Sequence, residues 1–124
     1  MAIPRIVPYL ESPDFEAVKA FYVDVLGLEV AMEEPGSPFL GLASPDNRSA
    51  QILVAAEGVE RTMPIARARL GIDVGSPEAV DAAHAAAVRD DLEVVYPVTD
   101  EPWGIRRFFV RDPTGAVVSV LAHL

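Results

Sequence analysis

The 124-residue chain reads as an α+β protein of two tandem βαβββ modules, which together form a curved mixed sheet with a concave pocket. Three observations carry that reading. Ser12-Pro13-Asp14 recurs as Ser76-Pro77-Glu78, and Leu28-Glu29-Val30 recurs as Leu92-Glu93-Val94, both pairs 64 positions apart. Each Ser-Pro-acid triplet opens a run with helical spacing of apolar residues. Each such run is followed by three short apolar stretches split by turn residues. A single half of roughly 60 residues is marginal by surface-to-volume scaling. The two copies are therefore expected to form one domain over 1–124, with modules at 1–57 and 64–124.

In the first module, residues 3–11 alternate as a strand does. Ser12 is placed to cap a helix, with Pro13 at its first position, where a missing N–H costs nothing. Asp14 and Glu16 favour the positive end of the helix dipole. Val18, Phe21, Tyr22, Val25 and Leu26 fall on one predicted helical face, and Gly27 sits where a left-handed cap belongs. Strands are predicted at 28–33, 38–43 and 49–56, separated by Pro35-Gly36-Ser37-Pro38 and Ser44-Pro45-Asp46-Asn47. Ala56 to Pro64 connects the modules. The second module repeats the order: a strand at 65–74, a helix from Ser76-Pro77 to about Arg89, and strands at 92–98, 105–111 and 116–122. The second helix presents Val80, Ala83, His84, Ala87 and Val88 on its apolar face. Asp112-Pro113-Thr114-Gly115 supplies the last tight turn.

Composition narrows the function classes. A net charge of −9 disfavours nucleic acid and anionic membrane as partners. It favours a cationic small molecule, or is simply solubilising. The chain has no cysteine, which excludes disulfides, thiolate catalysis and cysteine-ligated zinc or iron–sulfur clusters. No apolar run reaches the roughly 18 residues of a membrane span. The first residues lack signal-peptide character, so a cytoplasmic protein is expected. No Ser/His/Asp order, phosphate-cradling glycine loop or nucleotide motif is present.

Pro8-Tyr9-Leu10, Asp14, Phe21-Tyr22 and Leu26-Gly27 in the first module resemble the vicinal oxygen chelate superfamily, the glyoxalase, bleomycin-resistance and extradiol dioxygenase proteins. Pro102-Trp103-Gly104, Phe109 and Asp112-Pro113-Thr114-Gly115 carry the resemblance in the second. It implies that the enzymes among these relatives hold Fe, Mn, Ni or Zn with four His or Glu side chains, from the first and last strand of each module. Strand counting puts those positions at Val7 (or Arg5), Leu53, Arg69 and Ser119, none of which suits a divalent metal. The two histidines do not repair the set. His84 falls on the apolar helical face, and His123 is next to last. The expectation is a protein without bound metal and without cofactor, closest in character to the metal-free bleomycin-resistance-like members.

Alternation then gives the pocket side chains. Val7 and Tyr9, Leu53, Arg67 and Arg69, and Ser119 share the sheet face away from the helices. Phe39, Trp103 and Phe109 lie on segments that reach the pocket mouth in relatives. This mixture suits an aromatic or antibiotic-like organic ligand, with the arginines either forking a carboxylate or paired with Asp73 or Glu11 in a dimer interface. The resemblance implies a homodimer that sequesters its ligand. A second reading keeps a lyase, isomerase or dioxygenase with a non-standard site, for which Glu11, Asp73 or His123 would be the acid–base groups. No catalytic residue is selected by spacing.

Overall fold

Two βαβββ modules with the same internal strand order make up the α+β fold, as the repeat predicts. The computed structural model describes residues 2–59 and 68–124. The chain divides into two compact units, Val7–Ala66, and Arg67–Leu124 together with Met1–Ile6.

The N-terminal unit contains most of β1 (Arg5–Ser12), then helix α1 (Phe15–Lys19), β2 (Glu29–Glu33), β3 (Phe39–Ala43) and β4 (Gln51–Ala56). β1 runs parallel to β4, and β4–β3–β2 form an antiparallel meander. Leu40, Leu42 and Val54 are buried against Phe15, Val18, Tyr22 and Val23 of the helical segment. Two sequence expectations need correction here. The cap is Asp14 and not Ser12: its side chain accepts the Ala17 N–H at 3.1 Å, while Ser12 closes β1 and its hydroxyl accepts the Asp14 N–H. The buried face is also different. From Ala20 to Val25 the helix widens into a π turn. That extra residue per turn rotates Val23 inward and leaves Phe21, Val25 and Leu26 exposed. Gly27 does take the left-handed cap conformation, at φ +86°.

The C-terminal unit contains β5 (Leu70–Asp73), α2 (Pro77–Arg89), β6 (Val94–Glu101), β7 (Ile105–Arg111) and β8 (Val117–His123). β5 is parallel to β8, and β8–β7–β6 are antiparallel. Ser76 caps α2 by accepting the Ala79 N–H, with Pro77 at the first helical position as expected. Val80 and Ala87 pack with Val74, Phe108, Val120 and Ala122, with Ile72 and Ala83 among the partly buried residues against them. His84 lies edge-on to Phe108, its ring centroid 5.2 Å away, as a core-flanking residue. Val88 was expected on this face but is 59% exposed. At about 100° per residue it lies beyond the edge of a stripe centred between Ala83 and Ala87. The Asp112 carboxylate accepts the N–H groups of Thr114 and Ala116 and the Thr114 hydroxyl, which fixes the last turn. That bonding, led by the Thr114 hydroxyl, holds the Asp112 carboxyl below its ordinary range. The first residues fold onto this unit. Gly75, at φ +92°, approaches so closely that a Cβ would stand 3.1 Å from the Ala2 carbonyl oxygen.

Candidate functional site

Among the described residues, each unit has one sheet face covered by its own helix and an opposite face that this helix does not cover. In the N-terminal unit, even-numbered Leu40, Leu42, Ile52 and Val54 point to the helix. Their odd neighbours take the other face. Tyr9 is paired with Leu53, and Phe39 and Gly41 are registered against Ala55 and Leu53. Val7, Tyr9, Leu53 and Phe39 therefore share one face, as alternation predicts. Val7 is buried and the other three are half-buried. Near Phe39 opens a cleft of about 410 Å³, lined by Phe15, Glu16, Glu33, Glu34 and the 35–37 turn. Its acidic rim is partly neutralised, because Lys19 bonds both Glu33 and Glu16. Those bonds, Glu33 first, raise the Lys19 pKa.

In the C-terminal unit, Phe108, Val120 and Ile72 point to α2. Phe109 and Ser119, directly paired across β7 and β8, point the other way and are both fully buried. Arg107, paired with Leu121, lies on that same face. The sequence reading did not single out Arg107, and its neighbour Arg106 takes the opposite face. Arg106 belongs to the helix side, where it bonds Asp100 at 2.7 and 3.2 Å and reaches Asp81 of α2 at 2.9 Å. Its guanidinium draws the Asp100 pKa down, and its own is raised in return.

Arg107 is 0% exposed. Its Nη2 donates to Glu101 Oε2 at 2.6 Å, and the Tyr96 hydroxyl donates to Glu101 Oε1 at 2.9 Å. The guanidinium carbon lies 5.5, 5.1 and 5.0 Å from the ring centroids of Tyr96, Trp103 and Phe109. Local sequence explains the cage. Pro102-Trp103-Gly104 is a three-residue hairpin loop closed by Gly104 at φ +91°, with the Gly104 N–H bonded to the Glu101 carbonyl. That loop folds Trp103 back beside Arg107. The β6–β7 pairing brings Tyr96 opposite Phe109, 5.0 Å between centroids. Arg107 Nε and Nη1 and the Ser119 Oγ are buried without a hydrogen-bond partner among the described residues. The signal that could have found Arg107 was period two: it stands two residues before Phe109, already a candidate pocket residue.

The other predicted residues fall as follows. Trp103 is 53% exposed at the rim of the cage. Arg69 precedes β5, is exposed, and bonds through its backbone N–H to the Val117 carbonyl. Arg67 lies outside the described residues. Asp73 does pair with an arginine, but with Arg5 of its own unit, at 3.1 Å, and Arg5 also lies 3.2 Å from His123 Nε2.

The metal test is read from these side chains. Val7 and Leu53 carry no donor, Ser119 offers one buried hydroxyl, and Arg69 is cationic. His84 packs on Phe108 and His123 bonds Arg5. Among the described residues, no three His, Cys, Asp or Glu side chains cluster as a metal site. The donor set does not fit the four-ligand metal of the related enzymes. Nor, among the described residues, is any helix long and apolar enough to cross a membrane.

Comparison with known proteins agrees with the fold. The chain is similar over 96% of its length to the structure of an NAD-dependent benzaldehyde dehydrogenase from Legionella pneumophila, with 17% identity, 99% of that chain covered and a TM-score of 0.70. A glyoxalase/bleomycin resistance protein/dioxygenase superfamily member from Vibrio splendidus 12B01 matches at 18% identity, with 98% and 99% of the two chains covered and a TM-score of 0.64. Methylmalonyl-CoA epimerase from Mycobacterium tuberculosis matches at 20% identity, with 98% and 87% covered and a TM-score of 0.68. At such identities the likeness describes the backbone and not the chemistry. No curated protein matches the sequence. The family model described as the Glyoxalase/Bleomycin resistance protein/Dioxygenase superfamily matches residues 3–120. The chain therefore belongs to the glyoxalase/bleomycin resistance protein/dioxygenase superfamily.

Proposed function

We propose that the protein binds an aromatic or antibiotic-like organic molecule on the sheet face that carries Arg107 and Ser119, without a divalent metal, and acts by sequestration rather than turnover. The observation that supports this most is the absence of His or Glu at all four expected metal positions, Val7, Leu53, Arg69 and Ser119, together with the three aromatic rings around Arg107 on the face that carries Ser119. Within the C-terminal unit, Trp103 at the rim and the rings packed on Arg107 supply aromatic character of the kind organic ligands bury against. A homodimer is part of the proposal, since exposed Phe21, Val25 and Leu26 offer apolar surface for a second copy.

A thermal-shift screen of aromatic antibiotics, glycopeptides of the bleomycin type and small aromatic acids, run with and without EDTA, tests the reading. A ligand present at 100 times its Kd adds about 2.7 kcal/mol to the folded state. The reading requires at least one such stabilisation that EDTA leaves unchanged. Stabilisation that appears only with added Ni, Zn, Mn or Fe contradicts it.

A further inference from the structure

We infer that Arg107 is the recognition group for the carboxylate of an aromatic monocarboxylic acid, with the Ser119 hydroxyl as an additional donor. This rests on the proposed ligand-binding role and assigns the chemistry of the ligand.

Guanidinium donors explain why. An arginine carries five N–H groups arranged as two forks, one formed by Nε with Nη2 and one by Nη1 with Nη2. Glu101 engages Nη2, which has one proton in each fork. Whichever proton Glu101 takes, the other fork keeps both its donors. Nε and Nη1 have no partner among the described residues, although the side chain is wholly buried. Glu101 does not serve them: its second oxygen accepts the Tyr96 hydroxyl. Buried donors of a charged group left unmade are among the costlier defects a folded chain can carry. A planar carboxylate answers the open fork with two parallel bonds.

Charge and shape narrow the class further. Glu101 already neutralises one unit of charge, which disfavours a dianion such as a phosphate monoester beside it. The Tyr96, Trp103 and Phe109 rings surround the guanidinium, and Trp103, 53% exposed at the rim, provides a surface on which the ligand's own ring can stack. Ser119, paired with Phe109 on the adjacent strand, places a second unpartnered buried donor on the same face. A cationic drug is the wrong complement for this cage.

Trp103 is the single tryptophan, so its fluorescence reports on this cage directly. The purified protein is titrated with 2-naphthoate, its neutral isostere 2-naphthamide and cationic 2-naphthylmethylammonium, by calorimetry and by Trp103 emission. Naphthoate is expected to bind at least tenfold tighter than the amide and to perturb Trp103. Loss of charge-assisted bonds should weaken naphthoate roughly 10- to 100-fold in Arg107→Met/Glu101→Leu and measurably in Ser119→Ala. The double variant removes both buried charges, and circular dichroism verifies that it is folded. If the amide or the ammonium binds as well as naphthoate, or if the double variant binds naphthoate unchanged, the assignment of Arg107 is wrong while the binding role stands. If none of the three probes binds, the assignment falls, and the role falls with it if the broader screen is also negative.

Discussion

Replacing Glu101 by leucine isolates the energetics of the buried pair. The two side chains are 1% and 7% exposed, and their contact of 2.6 Å is short and charge-assisted. Removing the carboxylate leaves a buried guanidinium without its counter-charge. Breaking one half of such a pair costs about 3–5 kcal/mol, against a total stability of about 5–15 kcal/mol for an ordinary domain. For a chain of this size that is a fall in Tm of roughly 10–25 °C. Removing both charges has a different outcome. Arg107→Met/Glu101→Leu fills the same space with apolar atoms and is expected within about 1 kcal/mol of the parent, or above it. Urea denaturation followed by circular dichroism and Trp103 emission gives both values. A Glu101→Leu variant within about 1 kcal/mol of the parent, or a double variant no more stable than the single, would refute the reasoning. The expected result would mean that the pair contributes little net stability.

Two further perturbations test the packing and the turn. Phe108→Ala, at a side chain 1% exposed beneath α2, should cost about 3–5 kcal/mol in urea, whereas Val88→Ala on the same helix should stay within about 0.5 kcal/mol. Asp112→Ala should lower stability at neutral pH, because the folded state holds that carboxyl below its ordinary value of 3.8. A depressed carboxyl contributes above the unfolded pKa and loses its contribution as pH falls through the folded one. The melting curves of parent and variant should accordingly converge in acid, below about pH 4; a constant gap down to pH 2 would contradict the assignment.

How much was legible in the sequence depended on whether the signal was local. Ser76-Pro77-Glu78 marked the start of α2, and Arg89 its end, because capping and the missing proline N–H act within one turn. Alternation along β8 placed Ser119 on the face away from α2, and the strand register puts it there, paired with Phe109 of β7. The face of the first helix was misread because a π turn cannot be seen in apolar spacing, and it moved Val23 in and Val25 out. Arg107 was missed for a different reason: in Arg106-Arg107 the two neighbours have identical chemistry, and only the hairpin register separates the one that meets Asp81 from the one that meets Glu101. The Arg5–Asp73 pair spans 68 positions, and nothing local announces it.

The metal content of the purified protein tests the central claim most directly. After dialysis against equimolar Ni, Zn, Mn and Fe(II) and gel filtration, elemental analysis should find each far below one atom per chain, and naphthoate binding should be the same before and after. One tightly held transition-metal ion per chain, lost together with ligand binding on chelation, would contradict the account.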